Sequence, residues 1–448
     1  MRRINVKDYE ISEKDLNEMR EEYASNKTNT IVRHALSKNL ISDVVYDSKN
    51  ESNTNFDFSI VVKTLPVCNQ KSSGRCWIFA ACNVLREDIA KELNLENFEL
   101  SQNYIAFYDK LEKANYLLSS IADLVEEEHD ERVLKHVLQS GVSDGGQWDM
   151  YVNLIKKYGL VPKSVMKETV QSSNTRQSNQ LINVLCRRFA KEAKELYLNG
   201  KENEILALKK NYITKIYTLL SDCFGVPPTE FDFEYTDKES VYHIEKGLNP
   251  HTFFEKYVGE HINDYVSLIN SPTEDKEYYK TFTIDYLNNV IETRGIKHLN
   301  LPMERIKELI IAQLKDDKVV WFGSDVGFYG DRTNGIWDDQ SFDYESAFDF
   351  DLKFDKAAML DYYASCMNHA MCITGVNLIN GKENRRKIEN SWGGDAGNKG
   401  YYVMSSTWFD RFVYQAVIDK KYLNEKELVA YSKDPIVLKP WDPMGTLA

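Results

Sequence analysis

The sequence has 448 residues, of which 42% are hydrophobic and 12% aromatic, so it is long enough to bury a large core in two or three structural units. Its formal net charge of −13 argues against general binding to nucleic acid or to an anionic membrane, because both reward positive charge. No apolar run is long enough to span a bilayer, and no apolar segment follows Arg2 and Arg3, so we expect neither a membrane span nor a secretory signal.

The first predicted element is a short helix that begins after Ser12. Ser12 and Asp15 have the spacing of a capping box, and Leu16 and Met19 follow at helical intervals. Residues 1–65 are predicted to form an N-terminal extension that crosses the main domain.

The stretch from Gln70 to Leu93 contains the strongest candidate for chemistry. Five apolar residues recur at helical intervals and predict a helix buried on one side: Ile78, Cys82, Leu85, Ile89 and Leu93. Cys76 then lies in the first turn, which Ser72 or Ser73 can cap. The positive end of the helix dipole favours a thiolate there, so Cys76 is a candidate nucleophile.

Gln70 precedes this cysteine in the same loop. Its side-chain amide, together with the backbone N–H of Cys76, can stabilise the oxyanion that forms when a thiolate attacks a carbonyl. The alternative is that the cysteine is only a small buried hydrophobe, which is the commoner role on a helix and the one we expect for Cys82.

A β-hairpin is predicted in the last third of the chain. Residues 370–378 and 385–392 are rich in β-forming residues, and Asn380-Gly381 between them is a strong turn signal. Antiparallel pairing about this turn brings His369 and Asn390 opposite each other, where the asparagine can fix the orientation and tautomer of the histidine ring.

Three motifs resemble those of papain-like cysteine peptidases. They are Gln70-Lys71-Ser72-Ser73-Gly74-Arg75-Cys76-Trp77, Asn368-His369-Ala370-Met371 and Glu389-Asn390-Ser391-Trp392-Gly393. In this form they are similar to the bleomycin hydrolase and bacterial aminopeptidase C branch, and the similarity extends over nearly all of the chain. The resemblance implies a catalytic triad of Cys76, His369 and Asn390 with Gln70 in the oxyanion hole. It implies no cofactor and no metal.

The same resemblance implies an α+β, papain-like two-lobed fold. We assign the helical lobe with Cys76 to residues 66–168, a β-rich, antiparallel barrel-like lobe to 301–430 and a C-terminal arm to 431–448. A helical insert is assigned to 169–300, because the cysteine and histidine motifs are much farther apart than the roughly 130–150 residues of ordinary papain-like chains. Its helical pattern is clearest at Ile182, Leu185, Phe189, Ala193 and Leu196. In the resembling family the insert helps to build a homohexamer.

Further residues are expected to bind substrate. By resemblance, Gly145 and Gly146 pair with the substrate backbone, where side chains would block the approach. Trp392 follows Asn390 within its motif and is expected in the same cleft. The arm is too apolar for a disordered tail, so one interpretation is a strap pinned to the surface. The resemblance implies instead that it lies in the cleft, with its terminal carboxylate, on Ala448 or on an earlier residue after trimming, facing the substrate's ammonium group. The predicted partners are therefore peptides with a free N-terminus.

Seven cysteines without disulfide-type spacing favour a cytoplasmic location. Secreted papain-like enzymes carry a disulfide where this chain has Ser73 and Ser143, which agrees with that expectation. The basic clusters Lys209-Lys210 and Arg385-Arg386-Lys387 are interpreted as solvated charge, so nucleic acid is not an expected partner. The acidic run 126–131 is interpreted as a solvated helix face, because it lacks the spacing of a metal site.

The sequence thus predicts a cytoplasmic cysteine aminopeptidase that acts as a homohexamer, and bleomycin-hydrolase-like amidase activity is compatible with the same site. Two alternatives remain at this stage. One is a broad amidase or endopeptidase without a closing arm, and the other is a binding protein that retains only the scaffold.

Overall fold

The structure is a computed structural model that describes residues 10–49 and 54–447. The helices are α1 Glu13–Ser25, α2 Lys27–Leu36, α3 Ile41–Val45, α4 Cys76–Glu92, α5 Gln102–Asp123, α6 Arg132–Ser140, α7 Trp148–Tyr158, α8 Arg176–Leu198, α9 Ile205–Phe224, α10 Pro250–Tyr257, α11 Met303–Lys315, α12 Tyr344–Phe348, α13 Lys356–Asp361, α14 Ser406–Phe412 and α15 Glu425–Ser432. The strands are β1 Ile60–Val61, β2 Phe231–Thr236, β3 Tyr242–Leu248, β4 Tyr265–Ile269, β5 Thr281–Ile284, β6 His298–Asn300, β7 Val320–Ser324, β8 Gly330–Asp331, β9 Ile336–Trp337, β10 His369–Ile379, β11 Lys382–Glu389, β12 Tyr401–Ser405, β13 Val413–Asp419 and β14 Ile436–Leu438.

One large sheet forms the centre of the β-rich part. Its strand order is β14-β5-β6-β4-β13-β7-β10-β11-β12-β9-β8, and β1 also pairs with β10. The sequence predicted an antiparallel sheet, but three pairs are parallel: β12 with β9, β14 with β5 and β4 with β6. The expected hairpin is present as β10 and β11, which pair antiparallel across Asn380-Gly381. Both turn residues have positive φ, as this tight reversal requires.

Helix α4 packs between the sheet and the helices α5 and α7. The prediction that it is buried on one side only is wrong, since 14 of its 17 residues are buried. An amphipathic pattern predicts burial on one face, but α4 has packed elements on opposite sides. Even Arg86 and Glu87 are buried, with Arg86 Nε 3.3 Å from Glu87 Oε1.

The segment predicted as a helical insert is only partly helical. Helices α8 and α9 pack together, and Ile182, Phe189 and Ala193 of α8 are buried as the pattern predicted. However, the β2–β3 hairpin follows them, and β4, β5 and β6 belong to the main sheet although they lie before residue 300. The boundary at 300 is thus contradicted. These short strands pair with one another and with β13 and β14 far along the chain, so no local pattern separated them from the helices.

At the N-terminus the capping box at Ser12 is confirmed, because its hydroxyl accepts from Asp15 N while the Asp15 carboxylate accepts from Ser12 N. Helix α1 has no buried residue, and Leu16 and Met19 are exposed. Residues 1–9 and 50–53 of the predicted extension lie outside the described residues.

Two interpretations of charged runs are wrong in part, although residues 126–130 are exposed as expected. Residues 126–131 form an exposed turn rather than a helix face, and Glu131 caps α6 through Val133 N and Leu134 N. Arg386 is fully buried, stacks on Phe409 and pairs with Glu383, because β11 is an interior strand with both faces covered.

Within residues 10–49 and 54–447, no helix is long and apolar enough to cross a membrane, and no group of three or more His, Cys, Asp or Glu residues is arranged to hold a metal ion. All seven cysteines are free thiols.

Candidate active site

Cys76 is the first residue of α4 and is almost completely buried. The helix begins without a side-chain cap, so the expected capping by Ser72 or Ser73 is wrong. Instead, Ser73 Oγ donates to Gln70 O and accepts from Arg75 Nε. These two hydrogen bonds therefore join residues of the loop before the helix to one another. Arg75, the residue before the nucleophile candidate, is fixed by a buried ion pair to Glu168 at 2.9 Å.

The Gln70 side chain lies in the same pocket as Cys76. Its Oε1 accepts from Ser391 Oγ at 2.5 Å, and its Nε2 donates to Ser73 O at 2.6 Å. Because an amide nitrogen carries two hydrogens, this arrangement leaves one hydrogen to donate elsewhere. The backbone also ties this loop to the asparagine motif, since Gln70 N donates to Ser391 O at 2.8 Å.

His369 and Asn390 are in hydrogen-bond contact, with His369 Nε2 2.8 Å from Asn390 Oδ1. Asn390 Oδ1 also accepts from Ser391 N at 2.8 Å, so this atom is the amide oxygen and His369 Nε2 carries the proton. The other ring nitrogen, Nδ1, is then available as a base. The Trp392 ring stacks on the histidine at 4.8 Å between centroids and covers this hydrogen bond.

Burial dominates the electrostatics of both groups. It raises the pKa of the Cys76 thiol to about 11, although the backbone N–H groups of Ala370, Trp77 and Cys76 itself act to lower it. Burial lowers the pKa of His369 to about 4, against the opposing effect of the hydrogen bond that His369 donates to Asn390. The N–H groups at the helix N-terminus therefore act to lower the pKa of the thiol, as the sequence predicted. Desolvation raises that pKa by more.

Asp144 connects the loop before Cys76 to two other parts of the chain. Its carboxylate accepts from Gly74 N and from Asn179 Nδ2, each at 2.8 Å, and also from Lys110 and Thr175. Burial acts to raise the pKa of Asp144, but the Lys110 charge and these hydrogen bonds outweigh it and hold the pKa well below its usual range. This residue fixes the entrance of α4 relative to α5 and α8.

A second buried connection reaches the asparagine. Arg86 on α4 pairs with Glu389 at 2.7 Å, and both side chains are 1% exposed. Asn83, also on α4, donates to the same carboxylate at 2.8 Å. Because Glu389 immediately precedes Asn390, the helix that carries Cys76 and the strand that leads to the asparagine are held at a fixed separation.

Two adjoining cavities open at this site. A pocket of about 280 Å³ is lined by Gln70, Gly74, Cys76, Val326, Gly327, Arg332, Asn368, His369 and Trp392. A cavity of about 590 Å³ shares Asn368 with it and is lined in addition by Gly145, Gly146 and the C-terminal residues Gly445, Thr446 and Leu447. The arm thus lies in the wall of the cavity that adjoins the candidate nucleophile.

The arm is firmly attached along its length. Strand β14 pairs with β5, Asp442 forms an ion pair with the buried Lys276 at 2.9 Å, and Met444 is fully buried. Ala448, the predicted carboxylate residue, lies outside the described residues.

The structure therefore brings Gln70, Cys76, His369 and Trp392 into one pocket and places Asn390 directly behind the histidine. Gly145 and Gly146 line the neighbouring cavity, but the reason for glycine at 146 differs from the expected one. A Cβ there would lie 2.6 Å from the Trp77 ring, so packing against Trp77 requires glycine before any substrate approaches.

Sequence reasoning missed the connecting residues Asp144 and Glu389, and it missed Arg332 in the pocket. Asp144 stands between Ser143 and Gly145-Gly146 in the sequence. Asn334-Gly335 is a turn signal that could have placed Arg332 on a hairpin.

The fold and this pocket define a papain-like cysteine peptidase. The model of the Peptidase C1-like family matches residues 10–445. Aminopeptidase C of Streptococcus thermophilus is 45% identical over 429 residues, which cover 95% of this chain and 96% of that protein. Bleomycin hydrolase of Gallus gallus is 37% identical over 402 residues, or 88% of each chain. The crystal structure of PepW from Lactobacillus rhamnosis HN001 superposes with a TM-score of 0.96 at 43% identity, covering 98% of this chain and 99% of that one.

The chain belongs to the Peptidase C1-like family and is a cysteine-type hydrolase related to aminopeptidase C and bleomycin hydrolase.

Proposed function

We propose that this protein is an aminopeptidase that removes N-terminal residues from peptides, with Cys76 as nucleophile, His369 as acid and base, and Asn390 as the residue that orients the histidine. The observation that carries the proposal is the position of the C-terminal arm. Its residues 445–447 line the cavity next to Cys76, where they limit how much of a substrate can extend beyond the N-terminal side of the cleaved bond.

The proposed reaction begins with a neutral thiol and a neutral imidazole. Burial penalises either charge alone, so the proton moves from Cys76 Sγ to His369 Nδ1 as one coupled step when substrate excludes water. The sulfur attacks the first peptide carbonyl, and Gln70 Nε2 and the N–H of Cys76 stabilise the oxyanion. His369 then donates its proton to the leaving amine, and water, deprotonated by His369, hydrolyses the thioester.

The arm supplies a reason for preferring a free N-terminus. A carboxylate at the end of the chain is ionised at neutral pH. At ~4 Å and an effective dielectric of about 20, its attraction to a substrate ammonium is about 4 kcal/mol before desolvation. Since Lys276 anchors Asp442 upstream, only the last few residues are left to reach the substrate.

The test is mass spectrometry of the products from a ten-residue peptide and its N-acetylated twin, both incubated under reducing conditions. Stepwise loss of N-terminal residues from the free peptide alone is the expected result. Equal internal cleavage of both peptides would favour the endopeptidase alternative, and no cleavage of either would favour the binding scaffold.

Deletion of residues from Gly445 onward should convert exopeptidase products into internal fragments. Met444, which is fully buried, remains to hold the shortened arm. The matched control is the same truncation combined with Cys76→Ala, which should produce no fragments and so exclude a contaminating protease. An unchanged product ladder from the truncated enzyme would remove the arm from the proposal.

We also propose a homohexamer in the cytoplasm. The exposed apolar residues Leu16 and Met19 on α1 and Ile31 on α2 support an oligomer contact, and the free thiols support a reducing compartment. Native mass spectrometry of the intact protein should show six copies, and a monomer would refute the assembly.

A further inference from the structure

Arg332 is a charged residue in the catalytic pocket for which the proposed reaction has no role. It lies between β8 and β9 and lines the same pocket as Cys76 and His369. Its guanidinium carbon is 5.0 Å from the centroid of the Trp392 ring, which in turn stacks on His369. The Trp392 ring therefore contacts both the Arg332 guanidinium and His369, the group that protonates the leaving amine.

The turn that carries Arg332 is well ordered by its own hydrogen bonds. Asp331 Oδ1 accepts from the backbone N–H groups of Thr333 and Asn334, each at 3.0 Å, which is an Asx-type turn. The Tyr402 hydroxyl donates to Arg332 O at 3.3 Å. The Trp392 face restricts the guanidinium further through a cation–π contact. A side chain held in this way loses little entropy when it binds a ligand.

The Arg332 guanidinium contacts the Trp392 ring but forms no ion pair within the described residues. Among the residues that the structure describes, no carboxylate lies within 4.0 Å of this guanidinium, and the side chain is exposed. The acidic residue next to it in sequence, Asp331, uses its carboxylate to hold the turn through Thr333 N and Asn334 N. Its field already reaches the reaction centre, because Arg332 acts to lower the pKa of His369.

The position also determines which part of a substrate meets this charge. The C-terminal arm and Gly145-Gly146 line the larger cavity, which Arg332 does not line. Arg332 instead lies beside Trp392, which stacks on His369, and His369 is the group that protonates the leaving amine. A group on the residue after the cleaved bond would come next to the guanidinium.

We propose that Arg332 forms a carboxylate-binding subsite on the leaving-group side of the substrate. A planar guanidinium with two parallel N–H donors matches a carboxylate in geometry and charge. The carboxylate can come from an aspartate or glutamate that follows the cleaved bond, or from the C-terminus of a dipeptide. The proposal rests on the proposed peptidase function and adds a preference that the triad does not supply.

The experiment compares kcat/KM for two sets of peptides with free N-termini at about 0.1 M salt. One set is a hexapeptide with Glu, Gln or Lys at the second position, and the other is an Ala-Ala dipeptide with a free or amidated C-terminus. The enzymes are the wild type, Arg332→Gln, Arg332→Glu and the control Arg188→Gln, which removes a largely exposed arginine on α8. Each result is a ratio within one enzyme, so a change in folded fraction cancels.

We expect the wild type to prefer Glu over Gln, or the free over the amidated dipeptide, by about 2- to 5-fold, the factor typical of an exposed ion pair. Arg332→Gln should bring that ratio close to 1, Arg332→Glu should reverse it in favour of Lys, and Arg188→Gln should leave it unchanged. The peptide set whose kcat/KM ratio changes in the Arg332 variants identifies the source of the carboxylate.

Two results would overturn the subsite, and they differ. Hydrolysis by the wild type with ratios that do not change in either Arg332 variant would refute the subsite and leave the peptidase function intact. No hydrolysis of any peptide by the wild type would refute the proposed function and the subsite together.

Discussion

Replacing Asp144 by Asn should destabilise the protein strongly, although it changes only the charge of one side chain. Asp144 is 11% exposed and its partner Lys110 is 1% exposed. The asparagine keeps the shape and can still accept from Gly74 N, but it leaves the lysine charge buried without a counterion. Removing one partner of a buried ion pair costs about 3–5 kcal/mol. The matched control is Asp88→Asn, which breaks a half-exposed pair with Lys318 and should cost about 0–1 kcal/mol.

The pH dependence distinguishes loss of charge from loss of shape. The folded-state pKa of Asp144 is depressed, so its contribution to stability is complete above its unfolded pKa of about 3.9, begins to fall there, and is lost as the pH falls further through the lower folded-state pKa. The difference in urea unfolding free energy between wild type and Asp144→Asn should therefore shrink between pH 5 and pH 3. A difference no larger than that of Asp88→Asn at pH 7, or one that stays constant with pH, would refute the reasoning.

Three further predictions concern the pocket. Gln70→Glu, which replaces the amide donor by an acceptor of the same shape, should reduce kcat by about 10²–10³ with little change in KM, measured on an aminoacyl amide. Gly146→Ala places a Cβ 2.6 Å from the Trp77 ring and should lower the unfolding free energy by about 1–3 kcal/mol, whereas Gly394→Ala, whose nearest neighbouring atom is 3.9 Å away, is the control and should cost less. Because burial lowers the pKa of His369 to about 4, the imidazole stays neutral in mildly acidic solution, so kcat/KM should hold at pH 5.5 and fall only near pH 4. A loss of activity centred near the ordinary histidine pKa would contradict that burial effect.

The residues of the candidate triad were identifiable from the sequence because each lies in a short motif with its own local signal. Cys76 stands at the start of a helix, and Asn380-Gly381 forms a turn that brings two strands together. The hairpin register differs from the expected one, since Ile379 pairs with Lys382 and β-bulges interrupt the ladder. His369 and Asn390 still meet through their side chains, because a shift of two residues keeps a strand's face unchanged.

Burial of charge was the main point at which sequence patterns failed. Arg386 in a basic cluster and Arg86 in a helix both look solvated from their neighbours in sequence. Both are buried because residues far along the chain supply the partners, Phe409 for one and Glu389 for the other. A local window contains no information about such partners, so it assigns charge to the surface by default.

The sequence by itself determined the chemistry available to this protein, namely a thiol at a helix start, a histidine and an asparagine on one hairpin, and a glutamine ahead of the thiol. Only the tertiary structure decided how these groups are positioned and which other residues surround them. Asp144 fixes the loop before Cys76, the C-terminal arm lines the cavity beside the candidate nucleophile, and Arg332 lines the pocket of Cys76 and His369. The physical reason is that these groups meet through packing between segments distant in sequence, and contacts of that kind leave no periodicity or spacing in the chain.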